Sequence, residues 1–153
     1  MKVLSKIIEI GARIDKSEKI YVADVEISDM SIARAAEVDR RVVKSTIKQI
    51  LSSSEVSEIF SNTKPVGISY VEIAKSLGYE VFIIAADPFK TGVIASVTNV
   101  LAKHGIVVRQ ALADDPYLIS EPRLTLVVEG KVPPNALNEI KSLSEVKILT
   151  VLK

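Results

Sequence analysis

The chain of 153 residues contains no cysteine, no tryptophan and a single histidine, His104. The lack of cysteine excludes disulfide scaffolds, zinc–thiolate sites and thiol nucleophiles, and a single histidine excludes a multi-histidine metal site. The longest unbroken apolar run, 81–86, has six residues, whereas a membrane-spanning helix needs about 20. The first residues hold no apolar signal core, because Lys2, Lys6 and Glu9 interrupt them. We therefore expect a cytoplasmic protein with no membrane partner.

An excess of charge of either sign is also missing. Lys and Arg number 20 and Asp and Glu number 19, so the formal net charge is +1. This balance excludes a charged tail and a strongly basic nucleic-acid coat. The 48% apolar and 25% charged residues are typical of a globular protein. The length predicts one domain or two small ones.

Two halves of the chain differ in pattern. Residues 1–51 read as mostly helical, and strands and helices alternate from Tyr79 onward. The stretch between them is rich in Ser, Asn, Pro and Gly, which signal turns and linkers. We predict an α+β protein with a helical domain over 1–66, a linker helix over 67–78 that Ser69 caps, and a second domain over 79–153.

Local patterns in the first half predict several short elements. An amphipathic stripe predicts a helix that ends at Gly11, and alternation over 19–27 predicts a short strand or a small hairpin that turns near Ala23. Two helices follow over about 30–37 and 40–51, each after a Ser or Asp that can cap its first turn.

The segment Ile32–Ile50 resembles the helix-turn-helix pattern of DNA-binding proteins. Ala33 is small where two helices cross, and Val38 fills the turn between them. Asp39 caps the second helix. The pattern predicts that three apolar residues of that helix are buried, namely Val43, Ile47 and Ile50. The resemblance therefore implies a DNA-binding domain whose second helix enters the major groove.

Basic side chains lie on the opposite face of the same helix pair. The candidate DNA-binding residues are Arg34, Arg40, Arg41, Lys44 and Lys48, because Arg and Lys contact phosphates and base edges. Glu37 stands where the pattern has glycine. The chain there must therefore form either the usual turn with backbone strain or a turn of a different type. The alternative is a solvated helical hairpin for oligomerisation or partner binding, because residues 1–66 hold eleven basic and ten acidic residues.

The second half shows the order β-α-β-β-α-β. The predicted strands cover 80–86, 106–113, 123–129 and 146–152, and the predicted helices cover about 93–103 and 133–143.

Asp114 and Asp115 belong to the turn-rich connection between the second and third strands. Two adjacent carboxylates make a poor metal site, since hard cations need several oxygen ligands. His104 complements the dipole at the end of a helix.

Residues 79–153 resemble an ACT domain, a regulatory module of amino-acid metabolism. The resemblance rests on the loop 87–94 after the strand 81–86 and on the segment 104–108. It implies a ferredoxin-like fold, pairing of modules between subunits, and a small ligand, usually an amino acid, at that interface. The implied ligand-binding residues of the first loop are Asp87, Lys90, Thr91, Gly92 and Val93.

One position departs from that family. Val107 stands where many ACT domains have an asparagine that contacts the ligand or the neighbouring loop. Arg109 and Gln110 are the candidates to replace it, and the alternative is that both are solvent-facing strand positions.

Over nearly its full length the chain is similar to archaeal proteins that combine an N-terminal helix-turn-helix with a C-terminal ACT domain and are predicted to regulate amino-acid metabolism. The segments 32–43, 77–79 and 106–116 carry this resemblance. It implies a homodimeric or higher oligomeric transcriptional regulator with two partners, double-stranded DNA and a small effector. The alternative is a regulatory subunit that binds a metabolic enzyme. We expect no catalytic activity and no cofactor, because no nucleophile elbow, phosphate loop or triad is visible.

Overall fold

The computed structural model describes residues 2–152 and divides the chain into two compact units, Met1–Ile68 and Ser69–Lys153. Within the described residues the chain has six α-helices and two antiparallel sheets. The predicted α+β class is therefore confirmed. Below, the first unit is called unit 1 and the second unit 2.

Unit 1 combines four helices with three short strands. In chain order these are α1 (Lys2–Glu9), β1 (Arg13–Ile14), β2 (Ile20–Val22), β3 (Val25–Ile27), α2 (Asp29–Ala35), α3 (Arg40–Ser52) and α4 (Ser54–Asn62). The strands form an antiparallel sheet in the order β1-β2-β3. Helices and sheet share one aliphatic core, in which Ile7, Ile14, Ile20 and Ile47 are at most 1% exposed.

Local chemistry explains where these elements begin and turn. Ser28 caps α2 by accepting a hydrogen bond from the Ser31 amide at 3.1 Å. Asp39 caps α3 by accepting one from the Arg41 amide at 2.8 Å. The strands β2 and β3 form a hairpin that turns at Ala23 with φ 52°, which is one of the two alternatives, a short strand or a small hairpin, that the alternating pattern left open. The pattern did not predict β1, which has only two residues.

Unit 2 is a four-stranded sheet with two α-helices. Its elements are β4 (Tyr79–Ala86), α5 (Val93–Lys103), β5 (Val108–Ala113), β6 (Leu124–Glu129), α6 (Pro134–Lys141) and β7 (Val146–Leu152). The strands are antiparallel in the order β5-β6-β4-β7, and the β-α-β-β-α-β succession is the one that the sequence predicts.

The two faces of this sheet are covered differently. Phe82 and Ile84 of β4 point to the face that packs against Val97 and Leu101 of α5. On the other face, Val81 packs in a small cluster with Ala74 and Val127. The side-chain alternation of a strand places these two sets on opposite faces.

The segment before β4 is not the linker helix that we predicted. The expected α-helix from Ser69 is replaced by turns and a short 3-10 helix, Lys75–Leu77, which ends at Gly78 with φ 72°. The Tyr70 amide donates to the side chain of Gln110 at 2.9 Å, and Ala74 is buried against the sheet. These contacts with the sheet favour an irregular backbone over the helix that the local pattern indicated.

Candidate functional site

The turn between α2 and α3 places Glu37 in the left-handed region, with φ 53°. The Glu37 amide donates to the carbonyl of Arg34 at 3.2 Å, and the Val38 amide donates to that of Ala33 at 3.0 Å. Glu37 thus keeps the backbone conformation for which glycine is preferred. The cost of that conformation is about 1–2 kcal/mol for a residue with a Cβ.

Helix α3 has one buried face and one basic face. Val43, Ile47 and Ile50 are at most 5% exposed and pack into the core. Arg41, Lys44 and Lys48 are exposed on the other side. Within residues 2–152, none of these three cations has an ion pair. They form a surface of available positive charge.

Arg40 has a different position from its neighbours. Its Nη2 and Nε lie 3.2 and 3.3 Å from Oδ2 of Asp29, whose side chain is only 18% exposed. Because Asp29 begins α2, this contact joins the starts of the two helices. Arg34, also predicted to contact DNA, is exposed near the end of α2.

The hairpin of unit 1 adds a second group of paired charges close to α3. A cleft of about 310 Å³ is lined by residues of the hairpin and by Arg40 and Lys44. Lys19 Nζ lies 2.8 Å from Oε2 of Glu26, and this hydrogen bond raises the pKa of Lys19. Sequence reasoning did not identify this cleft, because its two walls, 17–29 and 40–47, are separate stretches of the chain.

Unit 2 contains a cavity of about 470 Å³ where the loop after β4 meets the facing ends of β5 and β6. The lining residues are Ile84, Ala86, Asp87, Pro88, Lys90, Gly92, Val93, Ile94, Ala95, Ala113, Asp114, Pro122, Arg123 and Leu124. Most of these side chains are apolar, and the four charged ones comprise two acids and two bases.

The loop that forms one wall is ordered by hydrogen bonds within the loop itself. Asp87 Oδ1 accepts a hydrogen bond from the Phe89 amide at 3.0 Å, and the Lys90 amide donates to the Asp87 carbonyl at 3.2 Å. Gly92 is the N-cap of α5 with φ 87°, and among the described residues no side chain caps this helix. Thr91 is exposed in the same loop.

The opposite wall comes from the ends of β5 and β6. The pairing of Ala113 with Leu124 brings Asp114 beside Arg123, and Asp114 Oδ2 accepts from the Arg123 amide at 3.1 Å. The Arg123 guanidinium contacts Glu121 at 3.1 Å. Sequence reasoning missed Asp114 and Arg123 as wall residues. The hairpin pairing of the two strands was the signal that would have placed them together.

The two walls also touch outside the cavity. The rings of Phe89 and Tyr117 meet edge to face, with centroids 5.8 Å apart. Tyr117 follows the predicted turn at Asp115, whose carboxylate accepts from the Tyr117 amide at 2.8 Å. Both rings are more than 60% exposed, so this contact lies at the surface.

Arg109 and Gln110, the candidates to replace asparagine at 107, do not line the cavity. The Arg109 guanidinium lies 5.6 Å from the ring centre of Tyr79 and 3.7 Å from Glu129. The Gln110 side chain accepts from the Tyr70 amide. Of the residues predicted to bind a ligand, the structure brings Asp87, Lys90, Gly92 and Val93 together around the cavity.

His104 joins the two helices of unit 2. Its Nε2 lies 2.9 Å from Oε2 of Glu139 on α6, and Lys103 Nζ lies 2.7 Å from Oε1 of the same carboxylate. The hydrogen bond from Lys103, followed by that from His104, lowers the pKa of Glu139. These contacts fix the C-terminal end of α5 to α6, whereas the cavity lies at the N-terminal end of α5.

Comparisons with known proteins give little beyond this geometry. No family model and no curated protein matches the chain. Among solved structures, a transcriptional regulatory protein of Pyrococcus furiosus, a member of the AsnC family, is similar with a TM-score of 0.28 and 10% identity, over 82% of this chain and 77% of that chain. A score this low carries no argument about function.

Within residues 2–152, no group of three or more His, Asp or Glu side chains is placed to hold a metal ion. No helix in this range is long and apolar enough to cross a membrane.

Proposed function

We propose that the protein is an amino-acid-responsive transcriptional regulator, in which unit 1 is a helix-turn-helix domain and unit 2 an ACT module. The observation that carries this proposal is the exposed basic face of α3, where Arg41, Lys44 and Lys48 have no ion pair within the described residues. A helix backed by a second helix across a tight turn is the arrangement that enters the major groove in such domains.

The dimensions of α3 suit this role. Its 13 residues make a rod about 20 Å long, and the major groove is about 12 Å wide. Arg41, Lys44 and Lys48 are spaced i, i+3 and i+7, so they share one face of the helix. A single rigid element therefore presents all three cations to phosphates and base edges.

Arg40 and Arg34 take different parts in this proposal. The ion pair of Arg40 with Asp29 holds α3 against α2, so Arg40 is a positioning residue. Arg34, exposed on α2, is placed to meet the phosphate backbone, because the first helix of such a pair crosses it.

The effector part of the proposal rests on the cavity of unit 2. Asp87, Lys90, Gly92 and Val93 surround it, and they are four of the five loop residues that the ACT resemblance implies, the fifth being Thr91. Pairing of two such units would give a homodimer. Its two α3 helices would then contact DNA half-sites whose centres are about 34–36 Å apart. The effector regulates DNA binding only if its affinity differs between two arrangements of that dimer.

The test of DNA binding uses the full-length chain and duplexes selected from a random library, with binding measured by fluorescence anisotropy from low to high salt. We expect the double variant R41A/K44A to lose affinity for all sequences and to reduce the salt slope by about 2, roughly 1 per lost phosphate contact. The matched control is K16A/K64A, which removes two exposed lysines of unit 1 outside α3. Equal affinity and equal slope for the two variants would refute the role of α3.

A second candidate function is a regulatory subunit that binds a metabolic enzyme. Two observations favour it: Arg40 is already neutralised by Asp29, and the side chain of Glu37, 85% exposed beside α3, would repel phosphate. This alternative predicts that no duplex binds at any salt concentration and that a metabolic enzyme co-purifies with the chain.

A further inference from the structure

We propose that the effector of unit 2 is an α-amino acid with an apolar, uncharged side chain. This inference rests on the proposed function only in taking the 470 Å³ cavity as the effector site. Three features of the cavity carry it: its size, the balance of its charges and the chemistry of its walls.

The size of the cavity suits a small molecule. Ligand pockets in proteins cover about 300–1,000 Å³ and are lined mainly by apolar side chains with a few polar groups that fix orientation. The cavity of about 470 Å³ lies in the lower part of this range. A single amino acid fits this volume.

The charges around the cavity are balanced. Asp87 and Asp114 are opposed by Lys90 and Arg123. A zwitterion leaves this balance unchanged, whereas an acidic side chain adds a negative charge beside two carboxylates. A basic side chain would add a further cation among mostly apolar walls, where a charge without a partner is costly.

The hydrogen bonds show which charges remain available. Arg123 is paired with Glu121, but within residues 2–152 the Lys90 ammonium has no ion pair. It is the cation placed to meet a ligand carboxylate. One oxygen of Asp87 accepts from the Phe89 amide, and the other keeps lone pairs for a ligand ammonium.

The remaining walls are aliphatic. Ile84 and Leu124 project from neighbouring strands and Val93 from the start of α5, and all three line the cavity. They offer no hydrogen-bonding group to a polar side chain, so such a side chain would lose its water without replacement. An apolar side chain is favoured instead, and moving from alanine to leucine should strengthen binding about 10- to 100-fold.

The experiment measures the melting temperature and calorimetric binding of the full-length chain with single compounds. The probes are L-leucine, L-isoleucine, L-valine and L-phenylalanine, compared with L-alanine, L-serine, L-aspartate and L-lysine. A compound at about 100 times its Kd should raise the melting temperature by several degrees. We expect this rise for the first group, a weaker effect of alanine, and none for serine, aspartate and lysine.

Two analogues of leucine test the charged ends separately. The 2-oxo acid lacks the ammonium that Asp87 would bind, and 3-methylbutylamine lacks the carboxylate that Lys90 would bind. We expect each to bind at least tenfold more weakly than leucine. If the 2-oxo acid binds as tightly as leucine, or if aspartate or lysine does, the proposed ligand class is wrong.

A variant that keeps the fold tests whether the cavity is the binding site. Ala95 lines the cavity in the first turn of α5 and is exposed. A95E places a carboxylate there, which repels the ligand carboxylate but suits the start of a helix. The matched control is N99E, at an exposed position of α5 outside the cavity lining. Leucine binding should fall at least tenfold in A95E and persist in N99E, and equal binding by both variants would overturn the site.

Failure of this inference can be told from failure of the proposed function. DNA binding through α3 is measured without any ligand, so duplex binding with no response to apolar amino acids refutes the ligand class alone. Conversely, if leucine binds and A95E abolishes that binding while no duplex binds, the ligand class holds and the DNA-binding function is refuted.

Discussion

Helix α3 alone carries three of the candidate DNA-contacting side chains of unit 1, whereas the cavity of unit 2 is built from two separate stretches, 84–95 and 113–124. In unit 1, three cations between residues 41 and 48 share a face because of helical periodicity alone. In unit 2, Asp87 and Asp114 become neighbours of one cavity only because β4 and β5 both pair with β6.

The two cores show the same contrast between segments that are close in sequence and segments that are far apart. The core of unit 1 joins helices to a sheet whose strands have two or three residues. The core of unit 2 depends on strands of six to eight residues, and the paired residues of β4 and β7 are at least 60 positions apart in the chain. We therefore expect changes in one unit to act on that unit, and the following predictions test this expectation.

The largest effects are expected from cavities in the two cores. Ile47 of α3 is 1% exposed and Leu126 of β6 is 0% exposed. I47A and L126A should each lower the free energy of unfolding by about 2–5 kcal/mol. Hydrogen exchange measured by mass spectrometry should locate the lost protection in residues 2–68 for I47A and in 69–152 for L126A. Equal loss in both ranges for both variants would show that the units unfold together.

Somewhat smaller effects are expected from alanine substitutions at two glycines with positive φ, one in each unit. The pair distinguishes a steric clash from backbone strain alone. Gly11 has φ +61°, and an added Cβ would lie 2.8 Å from Cα and 2.9 Å from N of Pro65. Gly105 in unit 2 has φ +68° but nothing within 4 Å of an added Cβ. G105A should therefore cost only the strain, about 1–2 kcal/mol, and G11A should cost clearly more in urea unfolding. Equal costs would contradict the close approach of Pro65.

The strained turn of unit 1 offers a stabilising change. E37G should raise the free energy of unfolding by about 1 kcal/mol, because glycine adopts φ 53° without the Cβ penalty. The contact between Lys2 and Glu37 spans 4.0 Å between exposed side chains, so its loss should matter little. The control E37Q keeps the strain and removes the charge. Both variants should bind duplex DNA more tightly than the parent, and only E37G should be more stable.

The smallest expected effect concerns acid stability. Hydrogen bonds from Lys103 and His104 lower the pKa of Glu139 in unit 2, and in unit 1 the Lys19 amide lowers that of Asp15. A carboxylate whose pKa is lower in the folded state adds stability above its unfolded pKa, about 4, and that stability is lost as the pH falls through the folded pKa.

Urea unfolding between pH 7 and pH 3 measures this effect. E139Q and D15N should each be less stable than the parent chain near pH 7 and should approach it at pH 3, with the change confined to the mutated unit. The control is E55Q, at an exposed position of α4. A constant difference from the parent chain across the whole pH range would contradict the assigned cause.

Much of the fold could be predicted because it depends on neighbours in sequence. Ser28 and Asp39 cap their helices with hydrogen bonds that span two or three residues, and the hairpin turns at Ala23. The prediction of a helix over 67–78 is wrong, and in this segment the Tyr70 amide donates to the side chain of Gln110, 40 residues away in the chain. Local propensity is a weak guide where such a contact competes with it.

In the candidate sites, too, features that depend on sequence neighbours were predicted and features that depend on distant residues were not. Helical spacing predicted the exposed positions of Arg41, Lys44 and Lys48 without any knowledge of the fold, but it gave no sign that Arg40 is bound to Asp29. Likewise, the loop of Asp87 was identified from sequence, whereas the opposite wall with Arg123 was not.

By itself the sequence determined the helix caps, the order of strands and helices in unit 2 and the basic face of α3, because hydrogen bonds and periodicities within a few residues fix all of these. Only the tertiary structure decided the strand order β5-β6-β4-β7 and the cavity at its end. It also decided which cation of α3 is neutralised. These features depend on which distant segments pack together, and that is settled by burial of the shared core rather than by any local pattern.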